Sequence, residues 1–231
     1  IGRAIAEGFV CAGAKVVVAS RKPEACATTE AELRAMGGDV LGVPTHLGDL
    51  DGVRTLADAA AGQFGAIDIV VNNAANALAQ PIGEFTPEAW QKSFDVNLRG
   101  PVFLVQAALP YLERSEHASV INVISAGAFL FSANVAMYSA GKAALMSFTR
   151  SMAADFAPRG IRVNALAPGT VDTDMVRANP PEAQRAMAQA SPMRRAASAD
   201  EMVGPAIYLA SDASSFMTGQ VLLVDGGLTP H

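Results

Sequence analysis

Six short runs of apolar residues, rich in Val and Ile, recur along the chain and are separated by longer segments with a helical pattern. The runs are hydrophobic throughout and do not alternate with polar residues, as a strand requires when helices cover both faces of its sheet. They read KVVVAS (15–20), VLGVPTHL (40–47), IDIVVNNA (67–74), SVINVIS (119–125), IRVNALAP (161–168) and QVLLVDGG (220–227). The pattern therefore predicts a parallel sheet.

The order of strands and helices predicts the fold class. Helices are expected near 1–12, 23–36, 51–64, 87–114 with an interruption around Gly100-Pro101, 136–157 and 199–211. Strand, helix and strand repeated in this way give right-handed crossovers, so we predict an α/β fold, a doubly wound parallel sheet with helices on both faces. Without a linker or internal repeat, residues 1–231 are expected to form one domain. The irregular segment 169–198 is expected to be a substrate-binding lid.

Composition argues against several classes of partner. The net charge of −5 and the lack of a Lys/Arg cluster argue against nucleic acid, because binding phosphates needs a basic face. No apolar stretch reaches the roughly 18 to 20 residues that span a bilayer, so no membrane partner is expected. Cys11 and Cys26 form no CxxC motif and have no paired His ligands, which favours free thiols over a disulfide or a metal site. A cytoplasmic location is therefore expected.

The segment AMYSAGKAAL carries the sharpest chemical signal in the chain. Tyr138 and Lys142 stand four residues apart on a predicted helix, so their side chains share one face. Tyr and Lys are both common residues, and such a pair also arises by chance. The spacing alone therefore leaves a catalytic role open.

Ser125 and Asn97 add two polar side chains to this pair. Ser125 ends the run SVINVIS, where the strands of an open α/β sheet meet the ligand crevice. Asn97 lies within a helical stretch that its side chain disfavours unless another group holds it. On the residues alone, Ser125 could merely end a strand and Asn97 could merely fasten one.

Four residues and three short motifs together resemble the compact members of the short-chain dehydrogenase/reductase family. They are Asn97, Ser125, Tyr138 and Lys142, with NNA at 72–74, PGTVDT at 168–173 and VDGG at 224–227. The resemblance runs from the first residue almost to the last. Three further segments look most like the NADP(H)-dependent carbonyl and retinol reductases of the dehydrogenase/reductase member 4 type, namely SRK at 20–22, THLG at 45–48 and NNAAN at 72–76.

This resemblance implies a role for each of the four residues. Tyr138 would be the general acid or base, and Lys142, together with the positive nicotinamide, would lower a phenol pKa that is ordinarily about 10. Ser125 would hydrogen-bond the substrate oxygen, and Asn97 would hold a water that links Lys142 to solvent. The hydride would move between the substrate carbon and the nicotinamide.

The residues at the end of the first apolar run indicate which nucleotide the protein binds. An acidic residue there would bind the ribose hydroxyls and repel a 2′-phosphate, which selects NAD. Ser20, Arg21 and Lys22 stand there instead, and their donors and positive charge favour NADP(H). A solvated pair of basic residues at a helix entry is the alternative.

The resemblance also implies other contacts with the nucleotide. The backbone of Asn73 and Ala74 would run beside the ribose of the nucleotide. The NNA motif to which they belong mainly holds the central sheet together in this family. The backbone of Leu47 would contact the adenine, and His46 replaces the Asp that usually precedes it. Four residues of a later turn would grip the carboxamide and phosphates, namely Pro168, Gly169, Val171 and Thr173.

Ile1 and Gly2 match the last two residues of the glycine-rich turn that binds pyrophosphate at a helix N-terminus in this family. In the family a central strand precedes that turn. Without it the neighbouring strands would stand about two strand spacings, or roughly 9.6 Å, apart. We therefore expect the natural chain to be longer at its N-terminus.

The leading functional hypothesis is an NADP(H)-dependent oxidoreductase that interconverts a carbonyl and a secondary alcohol. Two alternatives remain, a catalytically silent dinucleotide-binding sensor or scaffold, and a dehydratase or epimerase on the same scaffold. The residues expected near the pocket are mostly apolar, which favours an uncharged and bulky substrate, as in Leu78, Phe129, Phe131, Met175 and Met187. The resemblance also implies a homo-oligomer, a tetramer, assembled through the helices at 98–114 and 136–157.

Overall fold

The computed structural model describes residues 1–132 and 134–229. Among these residues six strands lie in the predicted runs, and each strand is shorter than its run. They are β1 (Val16–Ser20), β2 (Val40–Pro44), β3 (Ile69–Asn72), β4 (Ser119–Val123), β5 (Arg162–Pro168) and β6 (Val221–Val224). Every pairing between them is parallel, which confirms the predicted type of sheet.

Helices connect these strands. The α-helices are α1 (Gly2–Cys11), α2 (Pro23–Ala35), α3 (Leu50–Phe64), α4 (Pro87–Phe94), α5 (Gly100–Leu112), α6 (Ala136–Phe156), α7 (Asp174–Arg177), α8 (Pro181–Gln189) and α9 (Val203–Ala210). Short 3-10 turns lie at Ala126–Ala128, Ala157–Arg159, Ala199–Met202 and Asp212–Ser214, and a π-helical turn, Asp95–Arg99, joins α4 to α5. The α/β fold predicted from the sequence is confirmed.

Helices cover both faces of the sheet, as the apolar runs require. Val120 and Ile121 follow each other in β4, point to opposite faces, and are both fully buried. Ile121 packs in a cluster that includes Ile5 of α1 and Leu209 of α9. Val120 packs in a second cluster that includes Val105 of α5 and Met152 of α6.

The strands fall into two groups, β1-β2 and β3-β4-β5-β6. β1 and β3 are not hydrogen-bonded to each other, although side chains of both strands pack in the same core cluster. A cavity of about 260 Å³ lies at this break, between the loop before β1, the first residue of β3 and helix α9. The core is therefore continuous where the hydrogen-bond ladder is not.

The predicted interruption of the helix at 87–114 exists but lies elsewhere. The sequence placed it around Gly100-Pro101, whereas the irregular segment is the π-helical turn Asp95–Arg99. Pro101 occupies the first turn of α5, where a missing N–H is tolerated, so the helix continues through it. The prediction of the position was wrong because the change of helical register comes before the proline.

The segment 169–198 contains the two short helices α7 and α8, and a parallel bridge between Val171 and Ala197 joins its two ends. Both cysteines are free thiols, with Cys26 buried and Cys11 exposed. Within residues 1–132 and 134–229, no helix is long and apolar enough to cross a membrane.

Arg162, at the start of β5, ties the last helix to the sheet. Its guanidinium donates to the backbone carbonyls of Leu209, Ala210 and Ser211 and to the hydroxyl of Ser214, over 2.7 to 3.3 Å. The carbonyls of Leu209 and Ala210 belong to the last turn of α9, where the helix leaves its carbonyls without a donor, so a cation there meets both their hydrogen-bonding need and the negative end of the helix dipole.

We expect Arg162→Lys to lower the free energy of unfolding by about 2 kcal/mol, because an ammonium cannot reproduce the planar fork that spans four acceptors. Urea denaturation measures the change. Arg159→Lys is the matched control, since Arg159 forms an exposed pair with Glu113 and its replacement should cost less than about 0.5 kcal/mol. Equal losses in the two variants would contradict the capping role.

Candidate active site

The four predicted catalytic residues meet beyond the carboxyl end of β4. Ser125 follows that strand by two residues, and Tyr138 and Lys142 lie in the first two turns of α6. Asn97 lies in the π-helical turn, and Gly141 of α6 packs against it. A Cβ added to Gly141 would lie 3.1 Å from the Cβ of Asn97. The structure therefore brings three separate chain segments into one cluster.

Lys142 is the largest fully buried side chain of the protein, with 1% exposure. Its Nζ donates a 2.7 Å hydrogen bond to the carbonyl of Val123, the last residue of β4. Burial disfavours the ammonium form and lowers the pKa of Lys142 to about 8. The amine is thus positioned by the strand end, and near pH 7 it is still mostly protonated.

Tyr138 differs from the expectation that Lys142 would favour its phenolate. Burial raises the pKa of Tyr138, and the smaller opposing effect comes from the hydroxyl of Ser125. The Nζ of Lys142 lies 5.8 Å from the centre of the Tyr138 ring, and it donates its short hydrogen bond to the carbonyl of Val123 instead. In the protein alone, desolvation of the phenolate therefore outweighs the available charge. The lowered pKa was predicted for Lys142 acting together with a positive nicotinamide, and it stays a prediction.

Ser125 caps the 3-10 turn that follows β4. Its Oγ accepts a 3.0 Å hydrogen bond from the backbone N–H of Gly127. A Cβ at Gly127 would lie 3.3 Å from both the Ser125 and the Ser139 hydroxyl oxygens, so the turn passes between Ser125 and helix α6. The hydroxyl is half-buried and retains a proton to donate.

Asn97 is fully buried, and its side-chain amide is already engaged on both sides. Its Oδ1 accepts from the backbone N–H of Asn76 over 3.1 Å. Its Nδ2 lies within reach of three acceptors, namely the backbone carbonyl of Asn76 at 2.9 Å, the Asn76 Oδ1 at 3.1 Å and the Ser93 Oγ at 3.2 Å. Both the Oδ1 and the Nδ2 of the side chain therefore already have protein partners.

The N-terminus of α1 has the features of an anion site. Ile1 supplies no side-chain cap, so the first N–H groups of the helix are left for another acceptor. A Cβ on Gly2 would lie 2.3 Å from the Nδ2 of Asn73, so a larger residue here would require the Asn73 side chain to move. Asn73 thus lies beside the helix start, and the ribose contact of Asn73 and Ala74 stays a prediction.

Ser20, Arg21 and Lys22 form an exposed corner between β1 and α2. The Ser20 carbonyl is used by Thr45, whose N–H donates to it over 2.8 Å, while the side chains face outwards. Within the part of the chain that the structure describes, neither Arg21 nor Lys22 forms a salt bridge. Their charges remain available for an external anion.

Leu47 is buried where the loop after β2 meets helix α5. A Cβ on Gly100 would lie 2.4 Å from the carbonyl oxygen of Leu47, so helix and loop are in direct backbone contact. Arg99 donates to the carbonyl of Gly48 over 2.9 Å and holds the same loop. His46 is exposed, and its Nδ1 accepts from the N–H of Gly48 instead of reaching further out.

The predicted turn after β5 packs on the end of β6. Gly169 donates to the carbonyl of Val224 over 3.0 Å, and its Cβ position lies 2.7 Å from the Cα of Asp225, so no side chain fits there. Pro168 ends the strand, Val171 is buried, and Thr173 precedes α7. These residues form the base of the segment 169–198.

Several polar groups around Asn97 and Lys142 escaped the sequence analysis. Asn76, Ser93 and the carbonyl of Val123 hold these two side chains. Asn76 is the last residue of NNAAN, and nothing in the spacing of that segment predicts that its side chain contacts Asn97. The role of the Val123 carbonyl could not be predicted, because every residue has a backbone carbonyl.

Known proteins are similar to this chain along almost its whole length. Residues 1–229 match a family model described as enoyl-(acyl carrier protein) reductase. The chain is 37% identical to a cis-4-hydroxycyclohexanecarboxylate dehydrogenase of Sinomonas cyclohexanicum, over 99% of this chain and 92% of that protein. It is 35% identical to the human dehydrogenase/reductase SDR family member 4, over 98% of this chain and 83% of that protein.

A solved structure is similar along almost the whole chain. It is a gluconate 5-dehydrogenase from Burkholderia cenocepacia J2315 in complex with NADP and tartrate. The TM-score is 0.93 at 35% sequence identity, and the alignment covers 98% of this chain and 90% of that one. The folds therefore agree from the first helix to the last strand.

The buried amine makes stability depend on pH. Between pH 8 and 10.5 the unfolded chain holds a proton on Lys142 that the folded protein has released, so stability should rise with pH in that window. The slope of the free energy of unfolding can reach about 1.4 kcal/mol per pH unit. Tyr138 acts in the opposite direction only above pH 10, where the folded phenol retains its proton and the unfolded one does not.

Urea denaturation of the protein and of Lys142→Met, compared from pH 7 to 10, tests this. The difference between the two should be constant below pH 8 and should then grow in favour of the protein with Lys142. A flat difference across pH 8 to 10 would show that the amine keeps an ordinary pKa in the folded state.

Proposed function

We propose, since the chain belongs to the short-chain dehydrogenase/reductase family, that it is an NADP(H)-dependent oxidoreductase in which Tyr138 transfers the proton between a carbonyl and a secondary alcohol. Membership makes the protein an oxidoreductase that acts on alcohols or carbonyls. The observation that carries the finer assignment is the convergence of Tyr138, Ser125 and buried Lys142 at the end of β4.

Tyr138 is protonated at ordinary pH because burial raises its pKa, and a neutral phenol is the form that donates a proton to a carbonyl oxygen. The bound dinucleotide supplies or accepts the hydride. Ser125 lies beside the phenol and donates a second hydrogen bond to the substrate oxygen as negative charge develops there. Reduction therefore leaves a phenolate that must be reprotonated.

Lys142 restores the proton of Tyr138, and its pKa of about 8 makes it a ready donor near neutral pH. We place the water that serves Lys142 on the backbone carbonyl of Asn97, because the Asn97 side chain is already engaged. Pro101, four residues later, has no N–H to offer that carbonyl. The carbonyl thus lacks its usual helical donor.

The dinucleotide is held along the carboxyl edge of the sheet. The uncapped N–H groups at Gly2 take its pyrophosphate, and the unpaired guanidinium of Arg21, with Lys22, takes a 2′-phosphate. The similar gluconate 5-dehydrogenase was crystallised with NADP, which supports a nicotinamide dinucleotide as ligand. The preference for NADP(H) over NAD(H) rests on the corner Ser20–Lys22.

The substrate is proposed to be an uncharged carbonyl compound with apolar bulk. Phe131 is almost wholly exposed just beyond Ser125, and Met175 and Met187 are partly exposed on the helices of the segment 169–198. This segment would close over the substrate and remove these surfaces from water.

Assembly and location are proposed on separate grounds. Phe103 of α5 and Phe148 of α6 are exposed large apolar side chains, which supports a homotetramer built through these helices. The two free thiols are typical of a reducing compartment and support a cytoplasmic location.

We expect Tyr138→Phe to lower kcat for NADPH-dependent ketone reduction by about 10²- to 10⁴-fold, because the proton donor is lost. The loss of absorbance of NADPH measures turnover, and fluorescence titration measures NADPH binding, which should stay within about twofold. Tyr208→Phe is the matched control, since Tyr208 is an exposed tyrosine of α9. Equal turnover in the protein and in Tyr138→Phe would contradict the proposal.

The same assay separates the other two functions. A protein that binds NADPH but reduces none of a panel of ketones would be a dinucleotide sensor or scaffold. Conversion of a substrate without any net change in nicotinamide absorbance would indicate a dehydratase or an epimerase.

We expect Arg21→Ala to weaken NADPH binding by about 10- to 100-fold and NADH binding by less than about twofold, because only NADPH carries the phosphate that a guanidinium would grip. Fluorescence titrations with both nucleotides measure this. Arg114→Ala is the control, because Arg114 lies past the end of α5, at the opposite edge of the sheet. If NADPH and NADH bound more weakly by the same factor, Arg21 would not recognise the 2′-phosphate.

A further inference from the structure

The helix that carries Asn97 changes register at this residue, and a change of register needs substitute hydrogen bonds. α4 ends at Phe94 with ordinary spacing, since the N–H of Asp95 bonds to the carbonyl of Gln91. One turn later the N–H of Gly100 reaches back five residues, to the carbonyl of Asp95. Such a transition strains the regular ladder and persists where other groups satisfy it.

Asn76 supplies hydrogen bonds at both ends of this transition. Its Nδ2 donates to the carbonyl of Lys92 over 3.0 Å, before the π-helical turn. Its Oδ1 and its backbone carbonyl both accept from the Nδ2 of Asn97, within the turn. One side chain thus bridges the last turn of α4 and the residue on which the water relay was placed.

We propose that Asn76 is a positioning residue that holds the π-helical register of Asp95–Arg99 and thereby sets Asn97 against helix α6. This inference rests on the proposed function for its catalytic consequence, but its structural part does not. Without the Asn76 amide, the Lys92 carbonyl loses its external donor and Asn97 loses one acceptor. The turn then opens more often, and the Asn97 carbonyl is presented to the proton relay for a smaller share of the time.

Asn164 provides a control for the loss of an asparagine that both donates and accepts hydrogen bonds, although Asn164 is fully buried and Asn76 is half-buried. Its Nδ2 donates to the carbonyl of Met217 over 2.8 Å, and its Oδ1 accepts from the N–H of Gln220 over 3.0 Å. This two-way clamp resembles the one between Asn97 and the Asn76 backbone, but it fastens β5 to the loop before β6. Its removal costs stability without touching the π-helical turn.

The test compares three variants of the full chain, Asn76→Ala, Asn76→Asp and Asn164→Ala. Hydrogen–deuterium exchange of the peptide covering 93–101 should be about tenfold faster in both Asn76 variants and unchanged in Asn164→Ala. Aspartate keeps the acceptor for Asn97 but has no donor for the Lys92 carbonyl, so it should fail as alanine does. Unchanged exchange at 93–101 in Asn76→Ala, or full protection in Asn76→Asp, would overturn the proposal.

Steady-state kinetics of the same variants test whether the loss of Asn76 affects catalysis. In Asn76→Ala we expect kcat to fall about tenfold, KM for NADPH to stay within about twofold, and the pH profile of kcat to change shape. In Asn164→Ala, thermal stability should fall while the pH profile keeps its shape. An unchanged pH profile in Asn76→Ala with faster exchange at 93–101 would overturn the link to the relay. Hydrogen–deuterium exchange can be measured without enzymatic turnover. If the unmutated protein reduced no ketone, that result would contradict the proposed function but not the structural role of Asn76.

Discussion

The hydrogen bond between the Lys142 ammonium and the Val123 carbonyl is the contact on which the site depends. A buried cation has a large desolvation cost, and one carbonyl at 2.7 Å offsets only part of it. The result is an amine whose pKa is lowered to about 8 and whose position is fixed by the end of a central strand. Because Lys142 and Tyr138 share one helix face, fixing the amine also fixes where the phenol stands relative to Ser125.

Glycines lie where neighbouring elements approach the site closely. A Cβ on Gly169 would lie 2.7 Å from the Cα of Asp225, so the turn after β5 packs directly on the backbone beyond β6. Gly2 and Gly141 lie against the side chains of Asn73 and Asn97, which would have to move to admit a methyl group. Small residues therefore let helices and turns approach the polar side chains of the site.

The fold was largely predictable, and particular residues show why. Val120 and Ile121 are adjacent and both apolar, which only a strand covered on both faces can bury, so the parallel sheet follows from local pattern. The helix interruption was anticipated at Gly100-Pro101 but lies at Asp95–Arg99. Sequence rules recognise a proline that breaks a helix, yet they do not recognise one that is tolerated because the register changes just before it.

The sequence by itself determined the α/β fold and the order of its elements, because both follow from the periodicity of apolar residues. Asn97, Ser125, Tyr138 and Lys142 were named from the resemblance to a known family, and their catalytic roles stay a prediction. Only the tertiary structure decided that burial raises the pKa of Tyr138, that Val123 holds Lys142, and that Asn76 and Ser93 occupy the Asn97 amide. Desolvation and hydrogen bonding depend on distances between segments far apart in the chain, and such distances exist only once the sheet has brought those segments together.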